Sequence, residues 1–189
     1  FFKGRSMHEI GMIVDSIMLP EAGFFLAFFI LFIFLWVILR RIKGFKETLS
    51  IVELGHLEFY YQSSEMRSWR LRLINTDRTN MKDLQGCSQQ VLHFFDRLGF
   101  LVQKKVLSRE QIWQSFGIPV WGYFSLLLPY IQWLRTEERD SDLYVYIEDL
   151  NEAVYRLNRK MDRKRAKPFM EEEELDRFIE EEKAILSDS

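Results

Sequence analysis

The chain has 189 residues, 48% hydrophobic and 15% aromatic, including 17 Phe, with a formal charge of −2. It is too apolar for a disordered polymer, and its charge balance implies no general attraction to nucleic acid. The single cysteine, Cys87, excludes an intramolecular disulfide and any multi-cysteine metal site; the length accommodates one ordinary domain plus a membrane element.

Residues 1–21 read as a short extracytoplasmic segment. Met7 is a candidate native start, Gly4-Arg5-Ser6 before it resembling a cloning scar. Ile10, Ile13, Val14, Ile17 and Met18 recur at helical spacing ahead of Pro20, a piece too short to span a bilayer but suited to lie on its surface or on a partner.

From Ala22 to Leu39 no charged or strongly polar side chain occurs, and Arg40, Arg41, Lys43 and Lys46 follow at once. A hydrocarbon core needs about 20 apolar helical residues, with a lower limit near 17. Basic residues after the run, rather than before it, suit an anchor and not a cleaved leader. Residues 22–43 are therefore expected to form a single transmembrane helix with a basic inner flank. Glu9, Asp15 and Glu21 precede the run, so the positive-inside bias places the N-terminus out and the rest of the chain in the cytoplasm. Trp36 falls at the inner headgroup zone. Gly23 and Ala27 form a small-xxx-small pair that allows close helix approach. Phe25, Phe28, Phe29 and Phe32 face either lipid or a partner helix, and their number favours a partner.

Residues 44–167 read as a cytoplasmic helical bundle. Helix is expected over Leu54–Ile74, with Leu57, Tyr61, Leu71 and Ile74 inward and Arg67, Arg70 and Arg72 exposed. The turn-forming run Asn75 to Asn80 ends it. Leu84, Cys87, Val91, Phe94, Phe95, Leu98 and Leu101 or Val102 then give the clearest 3.6-residue stripe in the chain, with Cys87 as a small buried thiol. Ser108 and Gln111 form a capping box, and Gly117 with Pro119 is expected to divide the following apolar run into two helices, the second bent at Pro129. Gln111, Gln114, Ser115, Ser125 and Gln132 dilute that uncharged stretch, which favours a buried hairpin over a second membrane span. Leu143, Ile147, Leu150, Val154, Leu157 and Met161 are spaced 4-3-4-3-4, a stripe for docking on the bundle or for self-association.

A basic stretch, Arg156 to Lys167, precedes an acidic one, Glu171 to Glu182, across Pro168. Residues 168–189 form an amphipathic, acidic C-terminal helix whose strip, including Leu175 and Phe178, packs back or seeks a partner, against the alternative of a solvated tail. The fold class is all-α.

Chemistry-bearing motifs are scarce. Glu53-x-x-His56 is half of a carboxylate-bridged di-iron pattern with no second half, and there is no Gly-rich phosphate loop or nucleophile elbow. No cofactor, metal, catalytic residue or nucleic-acid partner is expected.

The run Phe94-Phe95-Asp96-Arg97-Leu98-Gly99-Phe100-Leu101-Val102, then Val106-Leu107-Ser108, Phe116-Gly117, and Pro129-Tyr130-Ile131 to Arg135, resembles a bacterial family known only as a domain of unknown function. The resemblance covers about Trp69 to Arg135 and implies an N-terminal membrane helix, a compact helical domain and a bacterial inner-membrane setting, with no catalytic residues to carry over.

The resulting expectation is a non-catalytic, membrane-anchored accessory or scaffold subunit. Gly23, Ala27, Phe28, Phe32, Trp36, Arg40, Arg41 and Lys43 would form the anchor, and Phe25, Phe29, Ile147, Val154, Leu175 and Phe178 the partner-facing surface. Its partners would be the lipid bilayer and a membrane-embedded or cytoplasmic protein, with self-association left open. The competing reading is a tethered sensor or effector with a lipid or small ligand among Trp113, Trp121, Tyr123 and Trp133.

Overall fold

A computed structural model describes residues 7–161 and 167–187, with side chains placed from Phe28 onward. The expectations resting on Phe1–Ser6, on the contacts of Gly23, Phe25 and Ala27, on the Ile10–Met18 stripe and on Arg163, Lys164 and Arg165 lie outside the described residues. Among the described residues there are six helices and no strand: α1 (Met7–Tyr61), α2 (Ser64–Asn75), α3 (Met81–Gln103), α4 (Arg109–Glu138), α5 (Val145–Met161) and α6 (Glu172–Ser187). The chain divides into two compact units, Phe1–Thr48 and Leu49–Ser189.

The first unit is helical from Met7, through Pro20 and the basic flank. Gly44 does not interrupt it. Among the described residues no helix is long and apolar enough to cross a membrane. Of the apolar run Ala22–Leu39, only Phe28–Leu39 has described side chains.

The second unit is a bundle in which α3 is central, packing on α2, α4 and α5, while α6 closes over α2 and α4. Helix starts are chemically specified. Ser63 accepts the Met66 amide, Asn80 accepts those of Lys82 and Asp83, and Ser108 and Gln111 satisfy each other's amides as a capping box. Helix α5 borrows its cap from α3: both Asp96 bonds come from the Tyr146 and Ile147 amides, each at 3.1 Å, to Oδ1. Tyr144, just before α5, has φ 58°, a left-handed conformation unusual for a bulky residue and held by its 9% exposure in the core.

Two differences from the sequence reading concern helix ends. The helix expected over Leu54–Ile74 is broken at Gln62 and Ser63, because Ser63 caps a new helix. Conversely, α4 runs unbroken through Gly117, Pro119 and Pro129. A proline deletes one ladder bond, but Phe116, Val120, Tyr123, Phe124, Leu127, Tyr130, Ile131 and Leu134 are all buried along α4, and that burial outweighs the local penalty.

Close helix crossings depend on two glycines. A Cβ on Gly99 of α3 would overlap the Tyr146 carbonyl of α5, and one on Gly122 of α4 would lie 2.5 Å from the Phe178 ring of α6. Cys87 is 6% exposed, as its stripe position required.

Candidate functional site

Along the first unit, every side chain from Phe28 to Leu39 is exposed, from 38% at Ile38 to 72% at Phe28. This includes the predicted anchor residues Phe28, Phe32 and Trp36, and Phe29, offered as partner-facing. Arg40, Arg41, Lys43 and Lys46 are exposed too, and the Arg40 guanidinium lies 5.5 Å from the centre of the Trp36 ring. Stacking of a cation on an indole adds an electrostatic attraction of about 0.5–1 kcal/mol at an exposed position.

The second unit has a charged centre. Arg70, which the helical pattern placed outside, is 2% exposed, and Glu182 is 6% exposed. Arg70 donates through Nη2 to Glu182 Oε2 at 2.5 Å, through Nε to the same oxygen at 3.2 Å and to Tyr123 Oη at 3.1 Å, and through Nη1 to the Tyr61 carbonyl at 3.2 Å. Tyr123 in turn donates to Glu182 Oε2 at 2.8 Å. The guanidinium lies 3.9 Å from the centre of the Tyr61 ring. Four helices thus meet at one ion pair: the end of α1, then α2, α4 and α6.

Its electrostatics follow from burial. Desolvation opposes the charge on Arg70, but Tyr61, Tyr123 and Glu182 more than offset it and hold the pKa above its usual value. Burial pushes the Tyr61 hydroxyl up, aided by Glu182 and opposed by Arg70. Tyr123 is pushed well up by burial first and then by Tyr61 and Glu182, with Arg70 again opposing. Both tyrosine hydroxyls are accordingly neutral at physiological pH; that of Tyr123 is hydrogen-bonded to Glu182, and that of Tyr61 is buried without a partner. A buried ion pair contributes little net stability once both charges are desolvated; this one links α6 to α2 and α4.

An open groove of about 710 Å³ runs beside α4, lined by Trp113, Ile118, Pro119, Trp121, Met161 and Lys167 among others. Ile118 is 68% and Met161 75% exposed, and Trp113 Nε1 donates to Asn158 Oδ1 at 2.7 Å. Of the four aromatics expected to line one pocket, only Trp113 and Trp121 meet here. Tyr123 belongs to the charged centre, and Trp133 stacks on Tyr130.

The partner-facing residues on α5 and α6 require correction. Ile147, Val154 and Phe178 are 0%, 1% and 4% exposed, and Leu175 packs on the same core. Their stripes dock on the chain's own helices, because α5 covers α3 and α4 and α6 covers α2 and α4. Opposite charges across Pro168 do meet in part: Lys167 lies 2.8 Å from Glu171 and 3.7 Å from Glu174. Glu53 pairs with Arg97 at 3.2 Å.

Among the described residues the chain is all-α, and its second unit is a helical bundle. Residues 63–154 match a family model described as "Domain of unknown function (DUF4760)", a span just under half of the chain that runs from the α2 cap into α5. No curated protein and no solved structure matches the chain.

Proposed function

We propose that the chain is a non-catalytic accessory or scaffold subunit, anchored by the Ala22–Leu39 run in the inner membrane of a bacterium. Its N-terminus would lie outside and its bundle in the cytoplasm, where it binds a protein partner. The observation that carries this reading is the exposure of every side chain from Phe28 to Leu39 on all sides of the helix, ending at four cations. Burying each such side chain is worth about 1.5–3 kcal/mol, so a surrounding apolar medium satisfies the stretch where water does not. The cations and Trp36 then sit where anionic headgroups and an interface-seeking indole are both favoured. The missing catalytic motifs and the structural character of the Arg70 centre support a binding role over a reaction.

Purification in mild detergent at native expression tests the scaffold role: a stoichiometric second protein is expected, and a chain recovered alone as a monomer would overturn it. A second reading, a tethered lipid or small-ligand sensor, is favoured by the groove at Trp113 and Trp121. It predicts a concentration-dependent rise in Tm with a short-chain lipid or apolar ligand, abolished in Trp121→Ala.

A further inference from the structure

Helix α1 enters the second unit with two faces of the same periodicity, and only one of them is used. Ser50, Leu54, Leu57 and Tyr61, spaced 4-3-4, pack into the bundle: Ser50, Leu57 and Tyr61 are 8%, 4% and 5% exposed, and Leu54 lies against the core. Leu49, Val52, His56 and Phe59, spaced 3-4-3, are turned about 150° away at 3.6 residues per turn. All four are exposed. Leu49 is 51%, Val52 49% and Phe59 81% exposed, with Ile51 beside them at 65%. In the sequence the same alternation begins earlier, at Ile42 and Phe45.

This is the spacing of a coiled-coil seam, with Leu49 and His56 at a positions and Val52 and Phe59 at d. We infer that the seam is occupied by a second copy of this chain, aligned parallel and in register. Three observations select that partner. Alternating threes and fours match another helix of like periodicity, and a parallel copy brings each residue against its own counterpart, as a twofold interface requires. The positions flanking the seam at g are Thr48 and Gly55, and a Cβ on Gly55 would meet nothing within 4 Å, so the helices can approach without charge repulsion there. Finally, Leu49, Val52 and Phe59 are 51%, 49% and 81% exposed, apolar surface that a like copy would remove from water on both chains at once.

His56 has a defined part in this arrangement. A single polar residue at an a position fixes register at some cost in stability. Facing its own copy, His56 makes out-of-register pairings, which would set it against an apolar side chain, less favourable. The parallel orientation rests on the membrane anchor proposed above; the seam itself does not.

The full chain in mild detergent, with Val52→Cys and separately Lys82→Cys, tests this under gentle oxidation and by light scattering. Val52 lies on the seam and Lys82 is exposed on α3. The expected result is a dimer that Val52→Cys locks covalently and Lys82→Cys does not. Val52→Asp should raise the dimer Kd about tenfold or more while leaving the thermal unfolding of the bundle unchanged. A monomeric wild-type chain, equal cross-linking at both positions, or cross-linking of Val52→Cys only to another protein would overturn the inference. A chain that floats with lipid but stays monomeric refutes the seam alone; a dimer that fails to float refutes the anchor alone.

Discussion

Replacing Glu182 by alanine removes the only carboxylate bonded to Arg70 among the described residues, and its effect can be worked out from the contacts. Arg70 would keep its bonds to Tyr123 Oη and the Tyr61 carbonyl but lose both contacts to Glu182 Oε2, leaving a cation 2% exposed without a counterion. Breaking a buried pair from one side costs about 3–5 kcal/mol. A domain of this size has roughly 5–15 kcal/mol in total, so the midpoint of urea unfolding should fall sharply. The chain has one escape: α6 can leave the bundle and let water reach Arg70, at the expense of exposing Phe178, Ile179 and Leu186. The loss should therefore be largest in α6, seen as faster amide exchange from Glu172 to Ser187 and earlier proteolytic clipping there, with α3 and α4 retaining protection. The paired substitution Arg70→Met with Glu182→Leu should recover most of the stability, because it removes the desolvation burden together with the bond. A Glu182→Ala variant within about 0.5 kcal/mol of wild type, or a double variant as unstable as the sum of the singles, would refute the reasoning.

Further outcomes follow from the same contacts. Gly122→Ala should loosen α6 by displacing the Phe178 ring, and Phe178→Ala should make the second substitution nearly harmless, so that a double-mutant cycle on Tm shows strong coupling. Gly99→Ala meets a backbone carbonyl instead of a side chain, and should cost several kcal/mol, on the order of the larger overpacking penalties, with no side-chain rescue at Tyr146. Asp96→Ala removes the acceptor of two α5 amides and should lower stability by about 1 kcal/mol, with exchange rising first at Tyr146 and Ile147. Alkaline titration should show a late tyrosine signal. Burial raises Tyr61 and Tyr123, and raises Tyr144 to about 12, so the unfolded chain releases these protons before the folded chain does. Stability is thus complete below pH 10 and falls as pH rises through the folded pKa of Tyr144, the unfolded state binding fewer protons over that window. Tyrosinate absorbance for these residues should appear together with unfolding, not before it.

Periodicity made most of the helical core legible. The Leu84 to Leu98 stripe is buried as spaced, and the Ser108 cap and the Asn75–Asn80 turn lie where their side-chain chemistry put them. Proline and glycine misled at α4, since their local cost is small beside a helix that buries aromatic rings along its whole length. The α5 stripe was readable as an apolar face, but its occupant was not, because spacing reports that a face is covered and not by what. Arg70 and Glu182 were missed for a related reason. Each was read as charge, although Arg70 stands four residues after buried Met66 and three before Leu73, and Glu182 four after Phe178 and four before Leu186. A cation on one apolar stripe and an acid on another is the signal that could have paired them. The exposed Leu49, Val52 and Phe59 face of α1 does not stand out in the sequence, because the buried Leu57 and Tyr61 face shares its periodicity.

In the proposed function the Phe-rich run holds this bundle to a bilayer. Density flotation of the full chain with liposomes containing anionic lipid, after an alkaline wash, tests it most directly. The chain should rise with the lipid and resist the wash, and replacing Phe28, Phe32 and Leu35 by aspartate should leave it in the dense fractions with its bundle folded. A wild-type chain that stays in the dense fractions, or that the wash strips from the lipid, would contradict the claim.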